Sequence, residues 1–403
     1  MSLVEEDQTV NFKTHPVMGT VVAVQANYYQ VQLAITSLSL PEAQALSEPY
    51  LLCTRRTRLK KIGQKVMVGD RVVIEEPDWI GGRGAIAEVL PRQTELTRPP
   101  IANADQILLV FAVAEPDLDP QALSRFLVKA ESTDLEVCLC LNKCDLVSIE
   151  QLQHWRERLL NWGYQPFFIS VYQGLEFIFD QKDQLERYSI SDFKLTLNPS
   201  LIYQLKDKIT VICGPSGVGK SSLINLLIPE IDLRVGSVSG KLGRGRHTTR
   251  HVELFELPSK GLLADTPGFN QPQLDCNPQN LVYYFPEARQ RLIAGNCQFS
   301  NCLHRDEPNC IVRGDWERYP LYLDFLEEAI ARKDALQQQP DEESTVKSKT
   351  TSGGKQKYEP RLNSKKYRRS SRRVQNQTLQ DLCDDVDNID ADEWHLEEEE
   401  FEN

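Results

Sequence analysis

Gly214-Pro215-Ser216-Gly217-Val218-Gly219-Lys220-Ser221, followed by Ser222, lies between the apolar run Ile209–Cys213 and the helix-like stretch SSLINLLI. The pattern G-x-x-x-x-G-K-[ST], flanked by a strand and a helix, predicts a phosphate-binding loop on a parallel α/β sheet. Glycines let consecutive backbone N–H groups close around phosphate oxygens, and the helix that follows adds partial positive charge. Lys220 is placed to reach the β- and γ-phosphates, as a binding and a catalytic candidate, and the Ser221 hydroxyl to ligate Mg²⁺. Every residue from Gly214 to Ser222 is a nucleotide-binding candidate. An incidental glycine-rich turn would need neither the strand before it nor the helix after it.

The base is read from a second stretch, upstream. Asn142-Lys143-Cys144-Asp145 follows the apolar run EVCLCL. A carboxylate can accept hydrogen bonds from guanine N1–H and N2–H₂, and adenine offers no such pair. Asp145 therefore selects GTP over ATP, Asn142 braces the loop and meets the guanine edge, and the Lys143 stem covers the base. Four residues alone match often by chance; the weight comes from the pairing with the phosphate loop. Ser170-Val171, after FFIS, is positioned to support the guanine oxygen through backbone N–H.

Downstream, Asp265-Thr266-Pro267-Gly268 follows the strand-like GLLA. Asp265 can hold Mg²⁺ through water, and the Gly268 N–H can bind the γ-phosphate. A bare D-T-P-G turn is the competing reading. In the intervening Gly243–Thr249, both Thr248 and Thr249 qualify as the switch residue that closes over Mg²⁺, and spacing does not separate them. Thr249 is carried as the magnesium and catalytic candidate. Phe269 stands where Ras-like enzymes carry a water-orienting glutamine and cannot polarise water, so hydrolysis is expected to be slow without a partner. His247 is the local catalytic candidate, against a solvent-facing loop histidine.

The order of these motifs is rotated: base recognition at 142–145, phosphate loop at 214–221, Mg²⁺ motif at 265–268. A circularly permuted domain keeps one spatial site with such an order, because compact domains tolerate new termini. The Mg²⁺ motif then leads straight into the segment that follows it, which should couple nucleotide state to that segment.

Around this centre the chain divides into further parts. Residues 1–16 are expected to be a flexible N-terminus. Residues 17–97 hold short alternating runs such as GTVVAVQANYYQVQL and KVMVGDRVVIEE, and predict a small barrel of the OB type. Residues 98–270 alternate buried-strand runs with amphipathic stretches and predict a mainly parallel sheet. In 271–336, Cys297, Cys302, His304 and Cys310 supply three thiolates and one imidazole, a set that suits one structural Zn²⁺ in a helical module. Residues 337–403 read as a disordered tail.

The formal charge of −12 is unevenly spread. Lys347–Arg373 carries eleven Lys/Arg and one Glu, whereas Asp381–Asn403 carries twelve acids and no Lys or Arg. Global charge therefore does not argue for nucleic acid, and only local patches can. Arg55, Arg56, Arg58, Lys60 and Lys61 form one such strip beside the barrel strands. The N-terminal MSLVEEDQTV has no basic-then-apolar leader and no apolar run reaches bilayer length, so neither a signal peptide nor a membrane role is expected. Cysteines inside apolar runs (Cys138, Cys140, Cys213) and a metal-spaced cluster point to a reducing, cytoplasmic setting.

With permuted motifs, a small N-terminal barrel and a Cys₃His module, the chain resembles the RsgA (YjeQ) family of ribosome-dependent GTPases. The stretch Arg98–Gln106 (RPPIANADQ) also carries the likeness. The resemblance implies hydrolysis of GTP to GDP, stimulated by the small (30S) subunit, in late maturation of that subunit through 16S rRNA binding. It implies that the histidine matching His247 assists hydrolysis, and that the chain works as a monomer with Mg²⁺ and Zn²⁺. A GTP-controlled RNA-binding module with incidental turnover is the alternative. The tail beyond 336 lies outside the likeness.

Overall fold

The structure, a computed structural model, describes residues 17–34, 49–97, 99–179, 184–190, 200–229, 252–265, 273–338, 346–350 and 356–360. Alternation in the first hundred residues becomes a barrel. Strands β1 (Val17–Gln25), β2 (Tyr28–Leu33), β3 (Tyr50–Arg55), β4 (Arg71–Asp78) and β5 (Arg83–Val89) pair in the order β1-β2-β3-β5-β4. A β1–β4 pairing closes the ring. Every second residue turns inward, so Val21, Val31, Leu51, Cys53, Val72, Ile74 and Ile86 fill the interior. A short helix, α1 (Thr57–Lys61), sits between β3 and β4. This is the five-stranded OB-type barrel expected from the sequence.

The junction to the next part is fixed by buried polar contacts. Asn103 donates from Nδ2 to Gly69 O at 2.9 Å and accepts from Gln93 N at 2.9 Å. Gly69 has φ +87°, and a Cβ there would lie 1.9 Å from Ala102 O, so only glycine lets the barrel turn approach the linker. The fully buried Asp70 accepts from Arg92 Nε at 2.8 Å and Nη2 at 3.0 Å. A small hairpin, β6 (Glu95–Thr97) and β7 (Pro100–Ala102), crosses the junction.

The α/β part is built on β8 (Gln106–Ala112), β9 (Glu136–Asn142), β10 (Pro166–Ser170), β11 (Leu175–Phe179), β12 (Leu185–Ser189), β13 (Ile209–Cys213), β14 (Glu253–Glu256) and β15 (Leu262–Asp265). Their order is β12-β11-β10-β9-β8-β13-β15-β14. The five strands from β10 to β15 in that order run parallel, and β11, β12 and β14 are antiparallel additions. Central β8 is buried along its whole length. Its alternate residues serve two cores: Ile107, Leu109 and Phe111 face α2 (Pro120–Glu131) and α3 (Ile149–Asn161), while Leu108, Val110 and Ala112 face α4 (Leu201–Leu205) and α5 (Lys220–Leu227). Asp119 caps α2 ahead of Pro120, and Ser148 with Gln151 forms a capping box on α3.

The Cys/His segment packs through a 3₁₀ turn at Leu281–Tyr284, helix α6 (Pro286–Ala294) and helix α7 (Tyr319–Gln338) around Phe285, Trp316, Tyr322 and Phe325. Val128 of α2 belongs to the same core. Arg318, fully buried, donates from Nε to Glu287 at 2.7 Å and pairs with it again through Nη2. Its guanidinium lies 4.7 Å from the Trp162 ring centroid and 4.9 Å from that of Phe285. Trp162 in turn donates to Glu317 at 2.7 Å, and Arg125 makes a bidentate pair with Glu328 at 2.9 and 2.7 Å. The metal-ligand segment is thus docked on α2 and the end of α3.

In the tail expected to lack structure, the described residues are Gln337 and Gln338 at the end of α7 and two antiparallel strands, Val346–Thr350 and Gln356–Pro360. Residues 1–16 and 361–403 lie outside the described residues.

Candidate nucleotide site and metal centre

The nucleotide motifs converge at the carboxyl ends of β9, β10 and β13, where ligands bind parallel sheets. Cys213 ends β13, and the chain turns at Gly214, whose Cβ would meet Val110 O at 2.1 Å. Gly217 and Gly219 have φ +82° and +96°, conformations that side chains disfavour. Val218 is buried and anchors the loop to the core. Lys220 opens α5, whose N-terminus carries no side-chain cap, so its first N–H groups remain available to an anion. The Lys220 ammonium lies over the loop, donating to Gly214 O at 2.9 Å and Pro215 O at 2.5 Å. Ser221 and Ser222 follow it in α5, both half-buried.

Asn142 joins the two halves of the site. Buried at the end of β9, it donates from Nδ2 to Val218 O at 2.8 Å and accepts at Oδ1 from Val171 N at 3.1 Å. One amide therefore holds the phosphate loop and the Ser170-Val171 loop together. The sequence assigned Asn142 to bracing but could not name these partners. Gly219 presses on the same group, since a Cβ there would lie 2.4 Å from Asn142 Nδ2.

Lys143 adopts the left-handed conformation, φ 63° and ψ 34°, which turns the chain into the 3₁₀ turn Cys144–Leu146. Its ammonium donates to Glu115 O, in the loop after β8. Buried Cys144 donates to Leu141 O at 3.2 Å and pins the turn from below. Burial pushes its thiol, and that of Cys140, well above the usual range, while that of Cys138 rises to about 11. These cysteines are packing groups, not nucleophiles. Asp145 accepts from the Ser170 hydroxyl at 2.5 Å, and Ser170 Oγ also accepts from Gln173 N at 3.1 Å. Ser170 is fully buried, so its hydroxyl orients the Asp145 carboxylate.

Asp265 is the last residue of β15, and its Cα partner across the sheet is Ile212 in β13. Asp265 therefore lies one strand away from the strand that leads into the phosphate loop. His247, Thr248, Thr249 and Gly268 lie outside the described residues. One buried acid was not flagged by the sequence: Glu176 on β11 accepts from Leu201 N at 2.8 Å, and burial raises its carboxyl to about 7. No motif marks it, because its environment comes from a helix 25 residues on.

Cys297, Cys302, His304 and Cys310 come together, their ligand atoms all within 4.8 Å of one another. His304 Nδ1 lies 3.6, 3.4 and 3.4 Å from the three sulfurs in that order, and Cys297 Sγ is 3.9 Å from Cys310 Sγ. This set can hold one metal ion. Glu307 accepts from Leu303 N and Arg305 N, both at 2.8 Å, and Tyr322 donates to Leu303 O at 2.8 Å, which fixes the ligand loop.

A guanine loop ahead of a phosphate loop, both on one parallel sheet behind an OB barrel, defines a circularly permuted GTPase. The RsgA GTPase family model matches residues 89–193 and 188–275. The chain is 64% identical, over 92% of its length and 98% of the relative's, to the small ribosomal subunit biogenesis GTPase RsgA of Trichormus variabilis. It is 40% identical, over 93% of its length and 88% of the relative's, to the mitochondrial RsgA 1 of Arabidopsis thaliana. Among solved structures it is similar to YjeQ from Thermotoga maritima, with a TM-score of 0.60 and 31% identity over 78% of this chain and 99% of that one. YloQ, a circularly permuted GTPase, matches with a TM-score of 0.60 and 30% identity over 80% of this chain and 98% of that one. The chain belongs to the RsgA GTPase family and is a GTP-hydrolysing enzyme.

Proposed function

We propose that the enzyme acts in maturation of the small ribosomal subunit, binding 16S rRNA through its barrel and hydrolysing GTP faster on the subunit than alone. The observation that carries this is the Asn142 bridge between the base and phosphate loops, in a chain whose relatives are named for small-subunit biogenesis. In this reading the loop from Gly214 to Gly219 cradles the phosphates, Lys220 neutralises the transferring group, and Asp145 reads guanine, held by Ser170. Ser221 and Asp265 are the groups that would hold Mg²⁺, with Thr249 or Thr248 from the switch segment. Bound there, Mg²⁺ would neutralise charge on the β- and γ-oxygens. His247 and Gly268 keep the roles proposed from sequence.

Zinc is the metal the Cys₃His set fits. Tetrahedral Zn–S and Zn–N bonds give S···S near about 3.8 Å and S···N near about 3.6 Å. The Cys297–Cys310 separation of 3.9 Å and the 3.4–3.6 Å from His304 Nδ1 to the sulfurs agree with that, within a cluster whose ligand atoms lie up to 4.8 Å apart. Four protein ligands leave no position for water, so the role is structural.

For RNA, the basic strip narrows. Arg56 pairs with Glu76 at 2.7 Å and Glu75 at 3.5 Å, and Arg55 donates to Gln64 O. Exposed Arg58, Lys60 and Lys61 on α1 remain as phosphate contacts. Among the described residues no helix is long and apolar enough to cross a membrane. Co-sedimentation with purified 30S subunits tests the reading: binding with a non-hydrolysable GTP analogue and loss with GDP are expected. Equal absence of binding in both states would overturn it.

A further inference from the structure

The barrel and the nucleotide sheet are one continuous sheet, joined where β1 meets β14. A bulge interrupts the β1–β2 register between Val21 and Ala23. Val21 faces the barrel core and its neighbour Val22 the core of the α/β part, as alternation along a strand requires. Beyond the bulge, Ala23 pairs with Glu253 of β14, and Glu253 pairs in register with Asp265 of β15. Ala23, Glu253 and Asp265 thus form a row across three strands. At the usual strand spacing of about 4.8 Å, barrel backbone stands roughly 10 Å from the backbone of the Mg²⁺-motif aspartate.

A second contact reinforces the row. Tyr50, at the start of β3, donates from its hydroxyl to Glu256 Oε2 at 3.0 Å and packs on the core that holds Val22, Val252 and Leu254. Val252 comes directly after the segment containing His247, Thr248 and Thr249, and β14–β15 spans the interval from that segment to Asp265. Asp265 therefore ends a hairpin whose outer strand is held by the barrel.

We infer that Val22, Ala23 and Tyr50 of the barrel, with Glu256, are positioning residues for the GTPase reaction, setting the place of Asp265 through β14. The inference rests on the reading of Asp265 as the Mg²⁺-site residue. Coupling between two sites is reciprocal, so the nucleotide must also act on the barrel edge. The contrast is with the docked metal-ligand module, whose contacts run to α2 and α3, away from β14.

Hydrogen exchange of the full-length protein with GDP and with a non-hydrolysable GTP analogue, each with Mg²⁺, tests this without any ribosome. The amides of Val22–Gln25 and of β14 should exchange about fivefold or more differently between the two states. Strand β2 residues facing away, and α7, should not change. In Tyr50→Phe the difference at Val22–Gln25 should shrink while the melting temperature stays near wild type. Identical exchange along β1 in both states would overturn the inference, as would a Tyr50→Phe protein with an undiminished difference. Failure of the proposed role in ribosome maturation shows separately, as absence of 30S binding.

Discussion

Arg318 gives the sharpest energetic prediction. It is a fully buried cation whose carboxylate partner, Glu287, is only 9% exposed, and the two share a bidentate contact. Its Nη1 has no hydrogen-bond partner among the described residues, and the guanidinium is flanked by the rings of Trp162, Tyr164 and Phe285. Arg318→Met leaves a buried carboxylate unpaired, and breaking a buried pair from one side costs ~3–5 kcal/mol. Glu287→Leu leaves the guanidinium unpaired at a similar cost. The double variant strands neither charge, and apolar replacements of buried pairs are typically neutral or stabilising by ~1–4 kcal/mol. The two single losses should therefore fail to add, with a coupling of at least ~3 kcal/mol. Urea unfolding followed by tryptophan fluorescence reads this directly, because Trp162 lies against the guanidinium. A single variant within ~1 kcal/mol of wild type, or a double variant as unstable as the two losses summed, would refute the reasoning.

Other outcomes follow from the same structure. Glu176 has its carboxyl raised from 4.5 to about 7 by burial, so the folded state holds a proton that the unfolded state releases earlier. Stability should then fall as pH rises from about 4.5 to about 7, by up to ~3 kcal/mol, and level off above. Glu176→Gln should remove this slope in urea titrations at several pH values; an unchanged slope contradicts the assignment. Gly219→Ala forces a side chain at φ +96° into Asn142 Nδ2, so GTP affinity should fall about tenfold or more in a fluorescent-nucleotide titration. Unaltered affinity would show that the Asn142–Val218 bond is dispensable. Chelation, or Cys302→Ser, should release one equivalent of zinc and lower helical circular dichroism from α6 and α7. An unchanged spectrum would remove the structural role of the metal.

Much of the candidate site's geometry was legible because its residues are adjacent in sequence and each answers a local demand. Gly217 and Gly219 occupy positive φ, and Asn142–Asp145 begins at the last residue of a buried strand. The barrel was legible through the alternation of its strands, and the parallel sheet through runs such as β8 that are buried on both faces. What escaped is long-range. Tyr50 and Glu256 are 206 residues apart, and nothing near either residue signals the other. Arg318 sits in a cage built from Trp162, Tyr164 and Phe285, none of which forms a motif with it. Ser170 was assigned through its backbone, whereas its hydroxyl holds Asp145. Arg56 looked like a phosphate contact because the sequence does not reveal that β4 brings Glu75 and Glu76 to it.

The rotated motif order also takes a different mechanical meaning in the folded chain. Sequence directs attention to the metal-ligand module that follows the Mg²⁺ motif. The contacts of the described residues hold that module on α2 and α3, and it is the barrel that reaches β14.

The central claim is tested most directly by GTP turnover of the full-length protein with and without purified 30S subunits. Slow hydrolysis alone and a rise of at least about tenfold with subunits is the result expected if the subunit completes the site. Equal rates in both conditions would contradict the account.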